Sequence, residues 1–191
     1  MNKFQRICLL LAIVYSILLL SACTTTWTSE AQSIISIIEA AIPSLLAILA
    51  AFGVTLAPSV VSAVQSWATQ AQLALTQVAT LITQYETAAA SAQLGILTQI
   101  ETILTTVSNN LESILPTLHV TDPATQAKIV AVFTIVEDEL VSLLELIPVI
   151  KGEVTDHDAM KALIAKVKSA KEFKHDYNIA AGKFGRQYEI N

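Results

Sequence analysis

Apolar side chains recur along most of this chain at steps of three and four residues, the spacing that places them on one face of an α-helix. The first such series begins after Ser29, a residue type that favours helix N-caps. Its members are Ile34, Ile38, Ile42, Leu45, Leu49 and Phe52. Pro43 predicts a kink or a division of this helix, because its ring nitrogen cannot donate to the carbonyl of Glu39. Gly53 and Pro58 then predict the tip of a helical hairpin.

From Ser59 onward the spacing matches four heptads with apolar a and d positions. This heptad stripe consists of Val64, Trp67, Ala71, Ala74, Val78, Leu81, Tyr85, Ala88 and Ala92. After Gly95 a further series resumes with Ile96, Ile100, Ile103 and Val107, and beside it leucines recur every seven residues at Leu97, Leu104, Leu111 and Leu118. Pro116 is expected to end this helix.

Asp122 and Pro123 predict the start of another helix, because aspartate is a good N-cap and proline fits the first helical position. Its apolar face consists of Ile129, Val132, Val136, Leu140, Leu143 and Ile147. Pro148 and Gly152 are expected to close it.

A last helix is predicted from Thr155 or Asp156 to about Phe173, with Lys168 and Lys171 near its end, as the helix dipole prefers. The tail behind it is expected to be partly ordered. No segment shows sustained alternation with turn signals. The chain is therefore predicted to be all-α, an antiparallel bundle of four to five helices with long heptad-patterned central helices.

The N-terminus has the pattern of an export signal, with Lys3 and Arg6 followed by fourteen mainly apolar residues, 7–20. This segment ends in Leu20-Ser21-Ala22-Cys23, which resembles the lipobox of bacterial lipoproteins. The resemblance covers residues 1–23 and implies cleavage before Cys23, attachment of acyl chains such as palmitate to that cysteine, and a membrane anchor. The alternative is an uncleaved membrane anchor formed by the same apolar stretch, which is short for a spanning helix.

The same resemblance implies a place in the bacterial cell envelope. An aspartate after the cysteine often marks inner-membrane retention in Gram-negative lipoproteins, and Thr24 at this position favours the outer membrane. The predicted organisation is a signal peptide over 1–22, a lipidated tether over 23–30, a helical bundle over 31–150, and a basic C-terminal helix with its tail over 151–191. A polar tether this short holds the bundle close to the bilayer.

Composition narrows the choice of function. The chain of 191 residues is 53% apolar and 14% charged, which is too apolar for disorder. Its net charge of −5 lacks the basic footprint of a nucleic-acid-binding protein. Residues 23–150 contain ten acids and one base, whereas residues 151–191 contain eight bases and six acids.

The longest charge-free stretch, between Glu39 and Glu86, admits three interpretations. It could form the inner helices of a bundle, with Ser, Thr and Gln on the exposed face. Residues 40–58 could instead insert into a membrane, within a hairpin spanning 31–64. The heptad stripe could also be the seam of a homo-oligomer or the contact surface for a protein partner.

Candidate chemistry is sparse. Two cysteines cannot build a disulfide framework or a four-cysteine zinc site. Histidines lie near acids at His119, at His157 between Asp156 and Asp158, and at His175 beside Asp176. In a functional interpretation, His157 and His175 with their neighbouring acids form a divalent-metal or acid/base site. The sequence contains no His-x-x-x-His pair, so the favoured interpretation is that these histidines are exposed near helix ends.

Glu137, Asp138 and Glu139 are expected to form a solvated face rather than a calcium site, because consecutive helical positions point in different directions. No phosphate-binding loop, nucleophile elbow or zinc-protease motif is present in the sequence. We therefore expect no catalytic residue, cofactor or metal, and lipidated Cys23 as the functional residue.

The tail holds two aromatic pairs, Phe173 with Tyr177 and Phe184 with Tyr188, among basic residues. These aromatics are expected to pack back onto the bundle. The alternative is a foot that rests on anionic lipid headgroups or on a partner, using aromatic rings and basic charge.

Taken together, these features predict a lipid-anchored envelope protein that acts as a non-enzymatic structural or interaction module, bound to the membrane through Cys23. The main alternative is a membrane-active protein that inserts the 31–64 hairpin into a bilayer. A metal-dependent enzyme built on the tail histidines is the least favoured reading.

Overall fold

A computed structural model describes residues 3–52, 56–120, 122–153 and 167–191, with side chains from Trp27 onward. Five α-helices account for most of these residues: α1 (Lys3–Phe52), α2 (Pro58–Thr87), α3 (Ala90–Ile114), α4 (Pro123–Ile150) and α5 (Ala170–Gly182). Short 3₁₀ helices follow α3 at Leu115–Thr117 and α5 at Arg186–Tyr188. The described ranges contain no strand. The predicted all-α bundle is therefore confirmed.

Long-range hydrogen bonds define the direction of the first three helices. Gln32 of α1 donates to the Thr83 hydroxyl, and Thr76 donates to Glu39, so residue numbers rise along α1 as they fall along α2. The Trp67 indole N–H of α2 donates to the carbonyl of Val107 in α3. Consecutive helices thus run antiparallel, as in an up-and-down bundle.

Helix α4 packs against both α3 and α1 and is the fourth helix of the bundle. Helix α5 packs against both α1 and α4. Its backbone N–H at Ala170 donates to Glu30 and its Tyr177 hydroxyl donates to the carbonyl of Ala41, so α5 runs parallel to α1. The end of the bundle that holds Glu30 also holds the α2–α3 turn.

The core is a single apolar cluster to which every helix contributes. All six residues of the predicted α4 face are buried, as are the four leucines that recur every seven residues along α3 and just beyond it. On α1 the buried apolar side chains are Ala31, Ile34, Ile35, Ile38, Ala41, Ile42, Leu45, Ile48 and Leu49. These residues make α1 a central helix of the bundle.

The prediction that a helix starts at Ser29 is wrong, because α1 is continuous from Lys3. No glycine or proline precedes Pro43, so nothing in the local sequence interrupts the backbone ladder. The Ser33 hydroxyl donates to the carbonyl of Ser29, which shows helical spacing across this point. Residues 24–29 accordingly belong to α1.

Pro43 does not divide α1 either. Its ring lies on the exposed side of the helix, while Ile42 and Leu45 on either side of it are fully buried. Burial of these neighbours holds the two halves of α1 on one core, which offsets the hydrogen bond that proline cannot make.

The heptad stripe does not form one helix over four heptads. It is buried as far as Tyr85 except at half-buried Ala74, after which α2 ends at Thr87 and α3 begins at Ala90. Ala88 is half-buried and Ala92 is exposed. The turn is closed by two bonds to the carbonyl of Tyr85, one from the backbone N–H of Ala88 and one from the Gln93 side chain.

The start of α4 and its end at Gly152 agree with the sequence analysis, whereas Pro148 lies inside the helix and does not end it. The Asp122 carboxylate accepts from the backbone N–H groups of Ala124 and Thr125, the geometry of an N-cap. At the other end the N–H of Glu153 donates to the carbonyl of Pro148, and Gly152 has a φ of +74°. These are the features of a Schellman motif, in which glycine takes the left-handed position.

The predicted boundaries of the last helix are wrong where the structure describes them. Its predicted start falls at residues 154–166, outside the described residues. The described helix α5 begins after Ser169 and continues past Phe173 to Gly182. Ser169 and Glu172 form a capping box, in which each side chain accepts from the other residue's backbone N–H. Lys168 therefore directly precedes the N-cap of α5.

Candidate functional site

The predicted lipidation site lies at one end of the bundle. Cys23 lies within α1, and its side chain is outside the described part of the structure. Four residues later the Trp27 ring packs edge-on against Tyr85 of α2, with ring centroids 5.2 Å apart. Four helical residues span about 6 Å, so the packed core begins almost directly after Cys23.

Most of the large apolar side chains described in the 31–64 hairpin lie inside the bundle, whereas Phe52 is exposed. Among the described residues, one helical segment, Trp27–Phe52, is long and apolar enough to cross a membrane, judged by its length and composition alone. The core helix of a soluble bundle or a signal sequence near the N-terminus meets the same criteria. This segment is thus weak evidence for insertion.

The heptad stripe is used within the chain as far as Tyr85. Trp67, for example, is 3% exposed and lies against Phe133 of α4, with ring centroids 6.3 Å apart. A homo-oligomer or partner contact through the stripe remains a prediction, and it would require these side chains to leave the intramolecular core.

The structure does not bring the described histidines together. His119 is exposed in the connection before α4, and its Nδ1 lies 3.4 Å from the side-chain nitrogen of Gln126. His175 is exposed on α5. His157, with Asp156 and Asp158, lies outside the described residues. No group of three His, Cys, Asp or Glu side chains in the described ranges could hold a metal ion.

The acidic run on α4 differs from its predicted environment at one position. Asp138 is exposed and Glu137 is half-buried, but Glu139 is only 2% exposed. Its Oε1 is buried with no hydrogen-bond partner in the described structure. The prediction of a wholly solvated face is therefore wrong for Glu139.

Burial raises the pKa of Glu139 to about 7, because a carboxylate loses hydration in the core. The Lys168 charge opposes this rise, whereas Asp138, Asp176 and Glu30 reinforce it by repelling a negative charge. Glu139 is thus a carboxyl group that changes its charge near neutral pH.

Polar contacts tie the start of α5 down around Glu139. The Ala170 N–H of α5 donates to Glu30 of α1 at 2.5 Å. Lys168, just before the helix, donates to Asp176 in the second turn of α5 at 2.6 Å. Charged groups from α1, α4 and α5 therefore meet at one place, which we call the Glu139 junction: Glu30, Asp138, Glu139, Lys168 and Asp176.

The sequence contained a signal for this junction. Glu139 is three residues after Val136 and four before Leu143, so it falls on the apolar face predicted for α4. A carboxylate on a buried face indicates either a partner or a shifted pKa. The acidic run obscures this signal, because its other members, Glu137 and Asp138, are not buried.

The tail aromatics pack on the bundle as expected. Phe173 and Tyr177 are fully buried. Burial raises the pKa of Tyr177 to about 12, and its hydroxyl donates to the carbonyl of Ala41 at 3.1 Å. Phe184 lies against Phe52 at the far end of α1, with ring centroids 5.0 Å apart.

Comparisons with protein-family models, curated proteins and solved structures gave no match to this chain. Its fold class therefore follows from its own helices and their packing, and its function has to be argued from its own residues.

Proposed function

We propose that this chain is a lipid-anchored protein of the bacterial envelope and acts as a non-enzymatic structural or interaction module. The observation that carries the proposal is the lipobox-type sequence Leu20-Ser21-Ala22-Cys23 behind a basic and apolar leader. Two or three acyl chains on Cys23 would hold the protein on the membrane almost permanently, since each buried methylene adds to the binding free energy.

The position of Cys23 in the fold supports this proposal. The N-terminal part of α1 is apolar and compatible with a signal or a membrane-associated segment. The packed core begins at Trp27, four residues beyond the proposed acylated cysteine. An anchor there would hold the bundle by the end that carries the α2–α3 turn, and would leave its sides open to partners.

The non-enzymatic part of the proposal is supported by how the polar side chains are used. On α2 and α3, threonine hydroxyls such as those of Thr69 and Thr102 donate to carbonyls of their own helix. The described histidines are separate and exposed. The arrangement suits a scaffold better than a reaction centre.

A membrane-active protein is the second candidate. The observation in its favour is the length and apolar character of Trp27–Phe52. Insertion would require α1 to leave a core in which Ile38, Ile42 and Leu45 are fully buried. The burial of these side chains favours the anchored module.

The test is membrane fractionation of the wild-type chain beside Cys23→Ser, with Cys8→Ser as the matched control in the leader. Each protein is extracted with carbonate, digested with protease and analysed by mass spectrometry. The anchored module predicts acylated Cys23 at the N-terminus of the wild type and of Cys8→Ser. It also predicts that Cys23→Ser lacks the lipid, and that after removal of any uncleaved leader the bundle is soluble.

Two results would contradict the proposal. A wild-type N-terminal mass without lipid at Cys23 would exclude the anchor. A leader-free Cys23→Ser protein that remains in the membrane, with peptides from 31–64 shielded by lipid, would support the membrane-active alternative.

A further inference from the structure

Among the charged side chains that the structure describes, Glu139 is the buried one, and the rest of the bundle does not explain its environment. It is buried at the contact of α4 with α1 and α5, and its Oε1 has no hydrogen-bond partner in the described structure. A buried carboxylate without a partner is costly when ionised and much less so when protonated. The packing therefore accommodates a neutral Glu139 better than a charged one.

We propose that the Glu139 junction is a pH-sensitive latch, in which ionisation of Glu139 releases the start of α5 from α1 and α4. The proposal concerns the folded bundle alone and does not depend on the lipid anchor.

Charges from each helix at the junction set the direction of this response. Among the described groups that act on Glu139, α1 contributes Glu30, α4 contributes Asp138, and α5 with its preceding residue contributes Asp176 and Lys168. Lys168 is already bonded to Asp176. An ionised Glu139 thus meets three carboxylates and one cation whose charge is partly neutralised.

The start of α5 is the part that this charge would release. The Ala170 N–H is held by Glu30, so this bond attaches the first turn of α5 to α1, whereas the Tyr177 hydroxyl bonds to Ala41 two turns later. Moving this turn outward would let water reach Glu139 and separate Asp176 from it. The apolar contacts of Phe173 and Tyr177 would be weakened next, since they follow directly along the helix.

The size of the effect follows from the pKa of Glu139. If that pKa is about 7 in the docked state and returns to its ordinary 4.5 on release, the opening equilibrium rises on the order of thirtyfold between pH 5.5 and pH 8.5. Stability of the docked state is therefore present at low pH and lost as the pH rises through 7. Helices α2 and α3 contribute no described group to the Glu139 junction.

The test is hydrogen–deuterium exchange of the purified full-length chain in detergent at pH 5.5 and 8.5, read by mass spectrometry and corrected for intrinsic exchange. Protection of the α5 amides, residues 170–182, is expected to fall on the order of thirtyfold at the higher pH, while α2 and α3 keep theirs. In Glu139→Gln the α5 protection should be the same at both values. Glu86→Gln, an exposed carboxylate on α2, is the matched control and should behave as the wild type.

Three outcomes would overturn the proposal: equal α5 protection at both pH values in the wild type, a pH effect that survives in Glu139→Gln, or a loss of protection shared by all helices. Protection of α2 and α3 shows whether the variant folds. If Glu139→Gln does not, Glu139→Met removes the titratable group at similar length and provides the same comparison.

Discussion

Gly95 and Gly152 offer a matched pair of substitutions with opposite expected signs. Gly95 lies inside α3 on its exposed side, and a Cβ added there meets no atom within 4 Å. Gly152 also has open space around it, but its φ is +74°. The same change to alanine therefore tests helix propensity at one site and backbone strain at the other.

The expected magnitudes follow from these two environments. Gly95→Ala should stabilise the bundle by about 1 kcal/mol, the difference in helix propensity between the two residues. Gly152→Ala should destabilise it by about 1 to 2 kcal/mol, the cost of the left-handed conformation for a residue with a Cβ. Since neither added methyl makes a contact, packing contributes nothing to either value.

Urea unfolding followed by circular dichroism measures both changes in the free energy of unfolding, with the slope against urea checked for constancy. The midpoints should move in opposite directions from that of the wild type. If Gly95→Ala lowers the midpoint, α3 does not pass through residue 95 as an exposed helix. A neutral Gly152→Ala would mean that α4 does not end in a Schellman motif.

Three further predictions concern α5 and its attachment. The pKa of Glu139 is raised in the folded state, so between pH 4.5 and about 7 the native chain holds a proton that the unfolded chain has lost. Between pH 4.5 and 8 the free energy of unfolding of the wild type should therefore fall by about 3 kcal/mol more than that of Glu139→Gln, measured by urea unfolding at each pH. Tyr177→Phe should cost about 1 kcal/mol through the lost hydrogen bond, with a lowered urea midpoint as the readout and no change as the contrary result. Ser169→Ala should cost about 1 kcal/mol through the lost cap, and should speed amide exchange in α5 before it affects α2.

The sequence predicts helices best where a periodic face and a terminal signal coincide. On α4, Asp122 and Gly152 mark the ends, and the six apolar residues between them are all buried. Pro116 likewise falls just after the end of α3. Capping and proline geometry act over a few residues, so their effect can be inferred from the chain alone.

The α2–α3 turn could not be predicted in this way. It falls at Ala88 and Ala89, within a run of the residue that favours helix most, and neither glycine nor proline marks it. The chain turns here because α3 must pack back along α2 to bury its leucines. Tertiary packing overrides local propensity, and such an effect is not visible in a window of ten residues.

The candidate site was partly accessible from the sequence. Cys23 could be singled out from its neighbours alone, because the lipobox resemblance is contained in four consecutive residues. The Glu139 junction could not, since Glu30 and Ala170 are 140 positions apart and meet only through the fold. The position of Glu139 on the apolar face of α4 was the one local sign of it.

The placement of α5 determines the order in which the bundle can be completed. Contacts between Ala41 and Tyr177, and between Phe52 and Phe184, join α1 to residues more than 130 positions further along the chain. Closing such long loops costs more chain entropy than forming contacts between residues that are close in the sequence. As the polypeptide grows from its N-terminus, one side of α1 stays uncovered until α5 has been synthesised. A nascent chain shorter than about 180 residues would therefore present exposed apolar surface, and would depend on a chaperone or on rapid completion to avoid aggregation.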